Sequence, residues 1–126
     1  MEPNTCSGSV TVLFNLSFTE VPEVIRDFIR TQQTPFIASL NSLGLQRLEW
    51  YLDEAQKKAT VIEVFQDTDA LERLVDNVIG TPINQRFGEP FSVDSFTVLG
   101  KMPDDLRATL GGMNASERGY VGGVAN

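Results

Sequence analysis

LEWYLDEAQKKATVIEVFQDTDALERLV, residues 48–75, is the stretch whose reading decides the fold. Two runs rich in Trp, Tyr, Phe, Val, Ile and Leu, about 45–53 and 58–66, flank the polar loop Asp53-Glu54-Ala55-Gln56-Lys57. A loop of that length between such runs predicts an antiparallel hairpin. Asp67 or Thr68 then supplies a helix cap, and Leu71, Leu74, Val75, Val78 and Ile79 follow at helical spacing until Gly80 ends the helix. Glu49 and Glu63 stand inside the two apolar runs. Because neighbours on a strand alternate, turning Leu48, Trp50, Ile62 and Val64 toward the helices sends Glu49, Tyr51, Val61, Glu63 and Phe65 to the other face. A carboxylate in such company needs an Arg, a Tyr hydroxyl or water, and Arg47 and Tyr51 flank Glu49 on its own face.

Upstream, Val10, Val12, Phe14, Leu16 and Phe18 repeat with period two from Gly8 onward, which predicts a half-buried strand. Thr19 is placed to cap a helix whose first turn holds Glu20, Pro22 and Glu23 and whose apolar stripe is Val21, Val24, Ile25, Phe28 and Ile29. Pro35 predicts a kink or break near Gln33 and Thr34. The apolar series resumes at Phe36, Ile37, Leu40 and Leu43, and Gly44 is the expected left-handed cap. Downstream, Thr81-Pro82 starts a short helix to about 87, residues 91–100 form a fourth strand, and 103–110 a last short helix. Residues 1–7 read as frayed and the glycine-rich tail 111–126 as mobile or ordered only against a partner.

Strand, helix, strand, strand, helix, strand is the order of an α+β ferredoxin-like sandwich, here one domain with a core of about 9–100, whose four-stranded antiparallel sheet carries its helices on one face. Tyr, Val and Phe on the second face make too large an apolar patch for water alone, so a second copy of the chain is the expected cover.

Composition narrows the chemistry. Ten Lys and Arg against 17 Asp and Glu give a net charge of -7 over 126 residues, a surface that repels phosphate and makes nucleic acid and anionic membranes poor partners. The single cysteine, Cys6, closes no internal disulfide and points to a reducing cytoplasm. The run SVTVLFNLSF has no basic residue before it and reads as a strand rather than a signal segment, and no apolar stretch nears the roughly 18 residues of a membrane span. The chain has no histidine, which excludes imidazole-based general base catalysis, a Ser-His-Asp triad, His-ligated heme and HExxH zinc chemistry.

The stretch VIEVFQDTDALERLV, 61–75, resembles the strand-to-helix segment of the antibiotic biosynthesis monooxygenase-like domains of the dimeric α+β barrel superfamily, with a mid-strand Glu, an aromatic, a short acidic turn and an Ala-Leu helix start. VLGKMPDDLRATLGGM, 98–113, is similar to a C-terminal extension of uncharacterised members. The resemblance spans roughly residues 9–112. It implies a homodimer whose sheets pack into a barrel, with a pocket for a small apolar or aromatic molecule between each sheet and its own helices. It also implies that any oxygenation of a quinol or aromatic proceeds without metal, flavin or other cofactor, the substrate anion itself meeting oxygen. Many members carry a His in the second helix where this chain has Leu74, so a mechanism dependent on that imidazole is absent here.

Such chemistry needs a proton acceptor, donors for an anion and an apolar wall. Glu63 is the acid–base candidate, since burial would raise its pKa toward neutrality; a structural ion pair is the competing reading. Asn15 would hold a substrate carbonyl or phenolate, or merely face a sheet edge. Tyr51 would donate to a substrate oxygen, or serve as a dimer contact. Arg47 would stabilise an anion, or pair with Glu49. Trp50, Phe14 and Phe28 are the candidate wall. A noncatalytic ligand-binding or protein-interaction module on the same dimeric scaffold is the alternative, as is an isomerase or cyclase that needs only a carboxylate and an apolar cavity.

Overall fold

The computed structural model describes residues 3–4, 8–112 and 114–124; Cys6 lies outside them. The elements in chain order are β1 (Pro3–Asn4), β2 (Val10–Phe18), α1 (Pro22–Phe28), a π-helical turn (Ile29–Gln33), α2 (Thr34–Leu40), β3 (Leu45–Asp53), β4 (Lys58–Phe65), α3 (Thr68–Val78), α4 (Pro82–Phe87), β5 (Phe91–Leu99), α5 (Asp104–Gly111), β6 (Ser116–Arg118) and β7 (Gly123–Val124). The main sheet runs β3-β4-β2-β5-β6. Its first four strands pair antiparallel, with β2 in the centre between β4 and β5. The expected ferredoxin-like arrangement is therefore present, with one strand more than the sequence suggested.

That extra strand comes from the tail. β6 joins the sheet edge parallel to β5, and β7 pairs with β1 in a separate two-stranded ribbon. Glu117 anchors β6: its carboxylate accepts from the Met102 backbone N–H at 3.1 Å and from Arg107 at 3.0 and 3.1 Å. Those two donors hold its pKa below the ordinary glutamate value.

Local chemistry explains most boundaries. Asp67 caps α3 by accepting from the Ala70 N–H at 2.9 Å, and Thr81 caps α4 through the Asn84 N–H at 3.2 Å. Thr19 does not cap α1. Val21 holds that position without a side-chain bond, and Pro22 enters the first turn because its missing N–H is not needed there. Ile25, Phe28 and Ile29 of the expected stripe are buried, whereas Val21 and Val24 are exposed before the helix has settled onto the sheet. The helix does not break before Pro35. It widens instead, the Thr34 N–H reaching back to the Ile29 carbonyl, so that Pro35 falls in the first turn of α2, where no donor is required. Asn41, with φ 49°, takes the left-handed cap of α2 expected of Gly44. Gly44 is needed for a different reason: φ is 87°, and a Cβ there would stand 2.6 Å from the Ala70 Cβ.

The phase of β4 is opposite to the sequence reading. Trp50 pairs with Val61, Leu48 with Glu63 and Leu52 with Ala59, while Val12 lies across from Glu63 on the other side. Val61 and Phe65 are buried under the helices, and Ile62 and Val64 face away from them. The core forms two clusters, one around Val12, Phe65, Leu71, Leu74 and Val98 and one around Leu16, Ile25, Phe28 and Phe91. Every sheet residue in them comes from this helix-facing side. The second face carries Leu13, Ile62 and Val64, flanked by the Arg47–Glu49 ion pair and by Tyr51. It is thus apolar along its middle, as expected, though built from Ile62 and Val64 rather than Val61 and Phe65.

Candidate ligand cavity

The strand phase puts Glu63 under the helices, and there a cavity of about 140 Å³ lies between the sheet and α2, α3, α4 and α5. Phe14, Val61 and Phe96 form its floor on the sheet, with the Phe14 and Phe96 rings 4.3 Å apart. Phe36, Ile37, Leu71, Leu74, Val75 and Val78 supply the helical wall, and Leu110 of α5 closes one side. Ile79, 54% exposed, brings the cavity to the surface. The polar groups that border it are few: Glu63, Gln33, Asn84 and the indole of Trp50.

Glu63 is half-buried and borders this mostly apolar cavity, and it pairs with no cation among the described residues. Desolvation disfavours the charged form and pushes its pKa up from 4.5 to about 7. At neutral pH the group is therefore present as both acid and base, so it can deliver or accept a proton inside an apolar site. Gln33, 8% exposed, stands on the π-turn between the two core clusters and accepts from the Trp50 indole N–H at 2.9 Å. Trp50 in turn stacks at 5.4 Å on Phe91. No group of three or more acidic or thiol side chains among the described residues is placed to hold a metal.

The structure brings Glu63, Trp50 and Phe14 together in the cavity wall and sends the other sequence candidates elsewhere. Asn15 faces the opposite side of the sheet, where its amide donates to Ser95 Oγ at 3.0 Å and accepts from Thr60 Oγ1 at 2.9 Å. Tyr51 is on that same face and 53% exposed. Arg47, beside it, pairs with Glu49 at 3.2 Å. All three follow from β3 and β2 alternation once Trp50 and Phe14 point inward. Phe28 is buried against Phe91 in the second cluster, away from the cavity. Sequence reasoning missed Gln33 and Asn84. A polar residue four positions from both Ile29 and Ile37 on a helical face was the available signal for Gln33.

No protein-family model matches the chain, and no curated protein matches it. Solved structures do. MupZ from Pseudomonas fluorescens is 15% identical over 98% of this chain and 93% of its own, with a TM-score of 0.80. A variant of SnoaB, a cofactor-independent oxygenase from Streptomyces nogalater, is 14% identical over 77% of this chain and 96% of its own, at 0.63. Rv0793 from Mycobacterium tuberculosis gives 17%, 76% and 97%, at 0.53. At these identities the likeness carries the fold alone: the chain shares the α+β ferredoxin-like fold of MupZ, SnoaB and Rv0793. No helix among the described residues is long and apolar enough to cross a membrane.

Proposed function

We propose that this chain is a homodimeric, cytoplasmic small-molecule-binding protein in which Glu63 exchanges a proton with an aromatic or quinol compound, and that the reaction is oxygenation without a cofactor. The observation that carries the reading is the Glu63 carboxyl bordering an apolar cavity with no cation paired to it among the described residues, its pKa pushed up to about 7 by burial. The Glu63 carboxylate accepts the phenolic proton, the resulting anion gives two electrons to oxygen to form a C–O bond to a hydroperoxide, and cleavage of its O–O bond with loss of water leaves one oxygen atom on the ring as a quinone carbonyl. The SnoaB likeness favours oxygenation over other uses of the same group. The cavity is about 140 Å³, and apolar cavities of about 150 Å³ hold a single benzene ring, so a monocyclic compound fits within it. The dimer is supported by the apolar strip of Leu13, Ile62 and Val64, which no residue of either core cluster covers.

One feature of the cavity favours the noncatalytic alternative. No Lys or Arg is among its described lining residues, so a phenolate formed there lacks a cationic partner. Oxygen uptake by metal-free protein with a panel of monocyclic hydroquinones separates the two. Turnover above the buffer rate that falls after Glu63→Gln supports oxygenation. No turnover across the panel, or turnover indifferent to Glu63→Gln, removes it, and ligand binding without oxygen uptake supports the noncatalytic module.

A further inference from the structure

We infer that Gln33 is the ligand's hydrogen-bond donor in this cavity and makes the site selective for small rings that carry an oxygen acceptor over hydrocarbons of the same size. The inference deepens the proposed function and rests on its reading of the cavity as a binding site. Ile29, Gln33 and Ile37 are spaced four apart on one helical face and are all buried, so a glutamine occupies a place where an aliphatic side chain would pack against both core clusters. A buried amide in such a position needs partners for both its ends.

One end has its partner. The Trp50 indole nitrogen is a donor only, so the atom it meets at 2.9 Å must be the amide oxygen, and this settles which way the amide faces. The NH2 group is what remains, and the same side chain borders the cavity. No described residue accepts from it. Gln33 therefore presents a donor held in place by Trp50, while Glu63 presents the proton-exchanging group on the sheet side of the same space. The π-turn supports this placement, since a wide turn ends at Gln33 before Pro35 restarts the regular helix. A phenol or hydroquinone oxygen satisfies both groups at once, donating its proton to Glu63 and accepting from Gln33; a methyl group in its place leaves the amide without a partner.

Trp50 is the sole tryptophan and borders the cavity, so its fluorescence reports occupancy. Phenol and toluene, and anisole and ethylbenzene, form two pairs matched in size. The anisole pair isolates the donor, because an ether oxygen accepts but gives no proton to Glu63. Wild-type protein is expected to bind anisole over ethylbenzene by about tenfold, the worth of one net hydrogen bond in a desolvated site, and phenol over toluene by more, because phenol also donates to Glu63. Gln33→Leu, and Gln33→Met as the closer match in length, are expected to abolish the anisole preference while leaving the hydrocarbons bound as before. Equal binding of anisole and ethylbenzene by the wild type overturns the inference even if neither variant folds, and leaves the cavity reading intact. So does a variant that weakens all four probes alike, which marks Gln33 as structural. Failure of every probe to perturb Trp50 in the wild type defeats the cavity reading itself, and this inference with it.

Discussion

Replacing Glu63 by Gln should make the protein more stable, and only above about pH 4.5. Burial raises the Glu63 pKa from 4.5 to about 7, so below pH 4.5 the group is protonated in both folded and unfolded chains and costs nothing as a charge. Between those values the folded chain holds a proton that the unfolded chain has released, and stability falls as pH rises. At about 1.4 kcal/mol per pH unit, the loss reaches about 3 kcal/mol once pH exceeds 7 and then levels off. Gln has nearly the same shape and no titration. The stability difference between Glu63→Gln and the wild type should therefore be small and flat below pH 4.5, climb between pH 4.5 and 7, and remain constant above. For a chain of this size a gain of about 3 kcal/mol corresponds to roughly 10 °C in Tm. Thermal unfolding followed by circular dichroism at fixed protein concentration, from pH 4 to 8.5, measures it. Taking the difference cancels groups that titrate in both proteins, Glu117 among them. A difference that does not change with pH, or one that favours the wild type as pH rises, would refute the placement of this carboxyl in a desolvated cavity.

Two further outcomes test the frame around that site. Gly44→Ala should destabilise the fold by about 2–4 kcal/mol, because φ is 87° and the added Cβ meets the Ala70 Cβ at 2.6 Å; urea denaturation midpoints check this, and a loss under 1 kcal/mol would contradict the close approach of the 41–44 turn to α3. Ile62→Lys puts a charge in the middle of the second sheet face, and Ile62 belongs to neither core cluster. Light scattering at micromolar concentration should report about twice 13.9 kDa for the wild type and a single folded chain for the variant, and a monomeric wild type would remove the dimer.

Residues 61–75 show how far a sequence reaches on its own. Asp67 caps α3, the 53–57 loop joins β3 to β4, and the alternation of Val10 through Phe18 makes β2, because each of these depends on groups within a few residues of one another. The order of these elements was enough to imply the sheet's antiparallel core. The direction of Glu63 was not available in the same way. Val61-Ile62-Glu63-Val64-Phe65 is apolar on both parities, so alternation within β4 has no preferred phase, and only pairing with Val12 on one side and Leu48 on the other turns Glu63 under the helices. That one choice brought Glu63 into the cavity beside Trp50 and Phe14, whose own strands send Asn15, Tyr51 and Arg47 to the opposite face. Gln33 and β6 were hidden for a related reason: the first depends on an indole 17 residues away and the second on a sheet edge and an Arg107–Glu117 contact that no local pattern records. Local hydrogen bonding and periodicity are properties of neighbouring residues and can be read along the chain; which face of a doubly apolar strand is desolvated is settled only when distant segments compete for the same surface.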